Sequence, residues 1–253
     1  MKVQQALICA GGLGTRLGLG TKSFIIYRGR LILEYLLVSC IKAGIKNIVV
    51  VTIPRKYEKY LSQEKLKKFR NLKKKYPNII FARDTGYRGF RKVPNYARRY
   101  LDVSKPFYLL CGHSPQISAF LRKISNYYKP GIITTSGYKY RYDTILSTGT
   151  TRGNFLITIN NSEYKKPKAY NCSKRNEFVQ HFPYVLDYEF YDNYIKKDNY
   201  KERAEFYLKK ILGAGGSVQI FKNPVEISEI DFKRDFGKLK RSIDFVIQKD
   251  KIW

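Results

Sequence analysis

With 253 residues, 43% of them hydrophobic and including 22 Tyr and 15 Phe, the chain has ample material for a buried core, which argues for a globular protein and against a disordered one. Lys and Arg number 49 against 20 Asp and Glu, and the formal charge of +29 favours anionic ligands such as nucleotides, sugar phosphates or nucleic acid without choosing among them. Nowhere do about 18 apolar residues run consecutively, and Leu7 to Ala10 is too short for a signal-peptide core, so a cytoplasmic protein with no membrane partner is expected.

In chain order, Val3 to Ala10 predicts a buried strand running into a glycine loop. Leu31 to Ala43 has helical spacing, with Gly44 where a glycine would end the helix, and Lys46 to Ile53 predicts a second buried strand. Arg55 to Tyr76, with ten basic residues and two acidic ones, predicts one solvated helix. A third strand is expected over Asn78 to Ala82, a helix over Asn95 to Asp102, and a fourth strand over Pro106 to Leu110 leading into Cys111-Gly112-His113. Beyond a helix from Ile117 to Tyr128 and a strand from Gly131 to Thr135, Tyr138 to Ile159 predicts antiparallel strands laid over the ligand end of the sheet. Tyr200 to Leu212 predicts a helix, Ser217 to Phe221 a strand, and Phe232 to Arg241 a closing helix.

Such alternation predicts an α/β fold: a Rossmann-like, mixed but mostly parallel sheet flanked by helices, with an antiparallel acceptor-side subregion. One domain over 1–253 is expected, with a nucleotide-binding half at 1–125 and an acceptor-side half at 126–253. Cys9, Cys40, Cys111 and Cys172 are far apart in sequence and form no C-x-x-C pair, which fits buried thiols in a reducing compartment.

The stretch that organises the chain is Ala10-Gly11-Gly12-Leu13-Gly14-Thr15-Arg16-Leu17, with Lys22 further on. Gly11, Gly12 and Gly14 lack a Cβ, so the loop is free to take positive φ and to bring backbone N–H groups close to phosphate oxygens. Arg16 can fork onto two such oxygens, and Lys22 adds a mobile point charge. Leu17 breaks the dinucleotide pattern G-x-G-x-x-G, and Thr21 ahead of Lys22 breaks the P-loop pattern.

This loop resembles the signature of the sugar-1-phosphate nucleotidylyltransferases, of the heptose-phosphate guanylyl- and hexose-phosphate uridylyl- or thymidylyltransferase kinds. Gly29 to Leu37 and Ala43 to Val50 are similar to the first helix and second strand of that family, and the likeness is good over roughly the first 125 residues. It implies a GT-A-like nucleotide-binding fold. Gly11, Gly12, Gly14 and Thr15 would hold the phosphates, with Gly86 in the loop that meets the nucleobase. Arg16 would stabilise the departing pyrophosphate, Lys22 would bridge the reacting phosphates, and Lys166 would approach the acceptor phosphate. The family usually has Pro before its Lys, where this chain has Thr21.

The resemblance also implies a catalytic divalent metal, magnesium or manganese, held by an Asp after the fourth strand and by a second carboxylate near the C-terminus. His113 stands in the first position. Imidazole suits zinc, manganese, nickel or copper better than magnesium. His113 thus binds a different metal, donates to a phosphate, marks a site that has lost catalysis, or is a hydrogen-bonded residue with no ligand. For the second position, one register gives Glu229 and another Asp231, which equally suits a helix cap.

Arg88, Arg91, Lys92, Arg98 and Arg99 interleave with Tyr87, Phe90, Tyr96 and Tyr100, a composition that also suits single-stranded nucleic acid. The expected function is transfer of NMP from an NTP to a phosphorylated acceptor, a sugar 1-phosphate by resemblance, with release of pyrophosphate. A catalytically degenerate nucleotide- or nucleic-acid-binding protein on the same fold is the alternative, and a homo-oligomer is compatible with either.

Overall fold

The computed structural model describes residues 2–12, 21–83, 92–138, 157–159, 179–196, 217–225 and 236–252. Its centre is an eight-stranded sheet. In chain order the strands are β1 (Gln5–Ala10), β4 (Asn47–Thr52), β5 (Ile80–Arg83), β6 (Phe107–Cys111), β7 (Ile132–Tyr138), β8 (Ile157–Ile159), β9 (Val179–Leu186) and β10 (Ser217–Lys222). Their spatial order is β5-β4-β1-β6-β9-β7-β10-β8. A separate hairpin joins β2 (Ile26–Tyr27) to β3 (Arg30–Leu31).

β1 pairs in parallel with β4 on one side and β6 on the other, and β4 pairs in parallel with β5. β9 then intervenes, antiparallel to both β6 and β7, so β7 runs in the direction of β6, and β10 is parallel to β7. The carboxyl ends of β1, β4, β5, β6, β7 and β10 therefore share one edge, which in open α/β sheets is the edge that binds ligands.

Helices cover both faces. On one side lie α1 (Ile32–Lys42), α2 (Gln63–Lys75), α4 (Ser118–Tyr127) and α5 (Phe236–Asp250), whose Leu36, Phe69, Leu121 and Ile243 join Ala6, Ile8 and Val50 in one apolar cluster. The opposite face buries Leu7, Val49, Phe107 and Leu109 against α3 (Val93–Ala97) and the helical segment Tyr188–Ile195. Burial on both faces explains why the parallel strands are continuously apolar rather than alternating.

Local chemistry sets the boundaries. α1 ends where Gly44, at φ +85°, lets its own N–H reach Ile41 O and the Ile45 N–H reach Cys40 O, the paired bonds of a Schellman motif. The hairpin turns on Arg28 (φ 44°) and Gly29 (φ 75°), both left-handed as a two-residue I′ turn requires. α4 has no capping side chain of its own at Ile117; Asp250 from the end of α5 supplies one, its carboxylate accepting from the Ser118 N–H at 2.9 Å and from the Ser118 hydroxyl.

Several expectations need correction. Arg55 to Tyr76 is not one helix: a 3-10 turn over Arg55–Tyr60 is separated from α2 by Leu61 and Ser62, and Ser62 caps α2 by accepting from the Lys65 N–H. β9, inserted antiparallel at the centre of the sheet, was not anticipated, nor was the β2–β3 hairpin. Of the Tyr138 to Ile159 region, β8 lies within the sheet as its edge strand, antiparallel to β10, rather than over it. The closing helix continues past Arg241 to Asp250. The helix expected over Tyr200 to Leu212 lies outside the described residues. Among the described residues no helix is long and apolar enough to cross a membrane.

Candidate nucleotide site

β1 delivers Gly11 and Gly12 to the ligand edge of the sheet. The chain is described again from Thr21, whose hydroxyl donates to the Ala10 carbonyl at 3.2 Å, so the two ends of the loop are tied together at the strand terminus. Thr21 then opens a 3-10 turn over Lys22–Phe24, closed by the Phe24 N–H on Thr21 O at 3.0 Å. Thr21, Ser23 and Phe24 are buried, and the Phe24 ring packs on Phe69 with centroids 4.6 Å apart. Lys22 is thus the half-exposed member of a turn anchored on either side. Thr21 contributes a hydroxyl that fixes the loop mouth.

The neighbouring strand reaches the same place. The Gly112 N–H donates to Cys9 O at 2.9 Å, extending the β1–β6 ladder by one bond. A Cβ on Gly112 would stand 2.7 Å from Ser23 Oγ, 3.0 Å from Ala10 Cβ and 3.2 Å from Ala10 Cα, so only glycine lets the ends of β1 and β6 and the Lys22 turn meet. Gly12 is the opposite case. It does not adopt positive φ, and a Cβ there would meet nothing within 4 Å. The freedom expected at Gly12 is therefore open space beside the strand end rather than a left-handed backbone.

His113 follows Gly112 and is half-buried, with Nδ1 3.1 Å from Cys111 Sγ. Cys111 is in register with Cys9 on β1, and both thiols are half-exposed. Next to them Ser114 is buried, and its hydroxyl has no hydrogen-bond partner among the described residues. Gln116, fully buried, accepts at Oε1 from the Asn223 amide at 3.1 Å, while Asn223 Oδ1 accepts from the Val225 N–H. This amide pair ties the segment after β6 to the residues just past β10, where the chain sets out toward Glu229 and Asp231.

Of the residues singled out in the sequence, the structure brings Gly11, Gly12, Lys22 and His113 to one edge. Gly14, Thr15, Arg16, Gly86, Lys166, Glu229 and Asp231 lie outside the described residues, as do Tyr87, Arg88, Phe90, Arg91 and Cys172. Thr21, Ser23, Gln116 and Asn223 were not anticipated. The Thr21-Lys22-Ser23 run was visible, but a hydroxyl that closes a loop mouth leaves no motif.

The basic, aromatic stretch after β5 is partly committed to internal contacts. Arg98 donates to Asp192 at 2.6 Å and lies 4.5 Å from the centroid of the Tyr188 ring. Partial burial pushes Asp192 up, but the Arg98 guanidinium, with Lys196 behind it, holds this carboxyl below its ordinary value. Arg99 sits between the Tyr96 and Tyr100 rings, at 4.7 and 4.8 Å. Arg98 therefore joins α3 to the helical segment after β9, which reduces what this stretch offers to a nucleic acid.

Residues 6–79 match the family model described as the MobA-like NTP transferase domain. Among solved structures, the chain is similar to a nucleotidyl transferase from Methanothermobacter thermautotroptrophicus (14% identity, TM-score 0.63, covering 95% of this chain and 97% of that one). It is also similar to the inositol-1-phosphate CTP transferase of T. maritima (18% identity, TM-score 0.60, 96% and 97%). A third is the UTP-bound UGPase of Acinetobacter baumannii (16% identity, TM-score 0.62, 97% and 94%). No curated protein matches the chain. The likeness to solved structures spans nearly the whole length of each, and with the matched domain it agrees with the resemblance that the glycine loop carries.

Proposed function

We propose that the chain is a nucleotidyltransferase that moves NMP from an NTP to a phosphorylated small-molecule acceptor, a sugar 1-phosphate or a close analogue, and releases pyrophosphate. The observation that carries this reading is the three-way contact at Gly112, which sets the glycine-loop mouth, the Lys22 turn and His113 side by side. Two of the similar structures are named for UTP and for inositol 1-phosphate with CTP, which supports an NTP donor and a phosphate-bearing acceptor.

In this reading Gly11, Gly12, Gly14 and Thr15 cradle the triphosphate with backbone N–H groups, and Gly86 lies beside the nucleobase. Arg16 neutralises the departing pyrophosphate, and Lys22, steadied by the buried Ser23 and Phe24, draws the reacting phosphates together. Lys166 serves the acceptor phosphate. The attacking phosphate is already ionised, so alignment and charge stabilisation carry the rate and no general base is required.

Glu229 and Asp231, the carboxylates that would suit magnesium, lie outside the described residues. Among the described residues no group of three His, Cys, Asp or Glu could hold a metal ion, and His113 presents an imidazole, already against Cys111, where an oxygen ligand would suit magnesium. The imidazole of His113 in this place favours a second reading, a nucleotide-binding protein on this fold without transfer activity.

The test is pyrophosphate release from each of the four common NTPs with a panel of sugar 1-phosphates and inositol 1-phosphate, in magnesium, manganese and zinc in turn. Release with one NTP and acceptor pair supports transfer. Tight NTP binding without release under any condition supports the second reading.

A further inference from the structure

We propose that Cys9 and Cys111 are a redox-reactive thiol pair, which a peroxide converts to a reversible disulfide at the ligand edge of the sheet. The two residues are the last register pair between the parallel strands β1 and β6. In-register residues on parallel strands project to the same face, and here the face is fixed by Leu7 and Leu109, paired two residues earlier and buried in the same cluster.

Neighbouring strands lie about 4.8 Å apart, inside the Cα separation of roughly 4.4 to 6.8 Å that a disulfide spans. Side chains standing parallel leave the Cβ atoms somewhat wider than a relaxed disulfide prefers. Closing the bond therefore needs a small rotation, which is easier at the last register pair than at the middle of the ladder.

Accessibility separates this pair from Cys40. Cys9 and Cys111 are half-exposed at the ligand edge, while Cys40 is fully buried in α1, and burial pushes its thiol well above the ordinary value. His113 is in contact with Cys111 and not merely near it, with Nδ1 at 3.1 Å and Nε2 at 3.6 Å from the sulfur. That contact places an imidazole ring against the sulfur that is oxidised first.

The chemistry balances in two steps. The Cys111 sulfur gives an electron pair to one peroxide oxygen, the O–O bond breaks, and Cys111 sulfenic acid and water form. The Cys9 sulfur then attacks the Cys111 sulfur, the S–O bond breaks, and a second water leaves with the Cys9 proton. Two thiols are oxidised and one peroxide is reduced. The bond would draw Cys9 and Cys111 together and shift Gly11 and His113 from their places. Its effect on nucleotide binding rests on the proposed function; formation of the bond does not.

The experiment treats the full chain, and its Cys172→Ser variant, with hydrogen peroxide, followed by intact-mass and peptide mapping. The expected result is loss of the mass of two hydrogens, a Cys9–Cys111 linked peptide in both proteins, and full reversal by dithiothreitol. Cys9→Ser should stop at a sulfenic acid on Cys111 that dimedone traps. Cys9 and Cys111 oxidised separately, or a linkage that runs to Cys40 or Cys172 instead, overturns the proposal. In a parallel arm, oxidised protein should bind a fluorescent NTP analogue at least tenfold more weakly than reduced protein. Unchanged binding with the disulfide formed overturns the bond's effect on nucleotide binding. Reduced protein that binds no nucleotide contradicts the proposed function and leaves the disulfide result standing.

Discussion

Gly112 faces Ser23 across a gap that admits no side chain: a Cβ on Gly112 would stand 2.7 Å from the Ser23 hydroxyl oxygen. Ser23 is buried in a turn pinned by Thr21 and Phe24, so the neighbour has little room to give. Gly112→Ala is expected to destabilise the fold by about 1 to 3 kcal/mol, as overpacking typically does. It should also weaken NTP binding, because it levers the Lys22 turn away from β1. A denaturant midpoint and an NTP titration of the variant check both, and unchanged values would show that the three segments do not meet as described.

Thr21→Val keeps shape and removes the hydroxyl that donates to Ala10 O. The cost to stability should be about 0.5 to 1.5 kcal/mol, the usual worth of one neutral hydrogen bond. NTP affinity should fall by more than stability alone explains, since the loop mouth is no longer tied. Isothermal titration of the folded variant separates the two effects.

Asp250 supplies the contrast. Its carboxylate caps α4 through Ser118, on the side of the sheet that α1, α2, α4 and α5 cover. Asp250→Ala should cost about 1 to 3 kcal/mol of stability, because it removes a cap and leaves a buried N–H unpaired. Transfer by the folded fraction should stay at the wild-type rate. A large loss of rate in fully folded protein would mean that α4 and α5 help to shape the site.

At high pH the buried tyrosines set the limit. Burial pushes Tyr191 up to about 12, and Tyr108, Tyr128 and Tyr188 are pushed higher by the same cause. A free tyrosine ionises near pH 10, so above that point the unfolded chain holds fewer protons than the folded one, and stability falls as pH rises through about 12. Tyrosinate absorbance from these residues should appear together with loss of helical circular dichroism, not before it. Tyr191→Phe should make the alkaline decline shallower.

The first half of the chain was legible because its signals are local. Gly44 ends α1 by a bond pattern that glycine alone makes easy, and the apolar runs of β1, β4 and β6 bury both faces. β9 escaped notice because Val179–Leu186 carries polar residues and Pro183 within it, and its antiparallel place between β6 and β7 follows from pairings that no local pattern announces. The site was legible as chemistry and not as geometry. Gly11, Lys22 and His113 declare phosphate and ligand chemistry by residue type, whereas the close approach at Gly112 and the Gln116–Asn223 amide pair depend on contacts between segments about 90 to 107 residues apart. In the same way, Arg98 suggested a nucleic-acid contact until its pairing with Asp192 came into view.

The most direct measurement of the central claim follows a nucleotide labelled in its α-phosphate into product, with wild type, Arg16→Ala and Lys22→Ala in parallel. The account predicts that wild type transfers the labelled NMP to a sugar 1-phosphate or related acceptor with stoichiometric pyrophosphate. Both variants should remain folded and lose about 10² to 10³ in rate, the range for removing one preorganised charge-stabilising contact. Label that never leaves the NTP in wild type, or variants that turn over as fast as wild type, would contradict it.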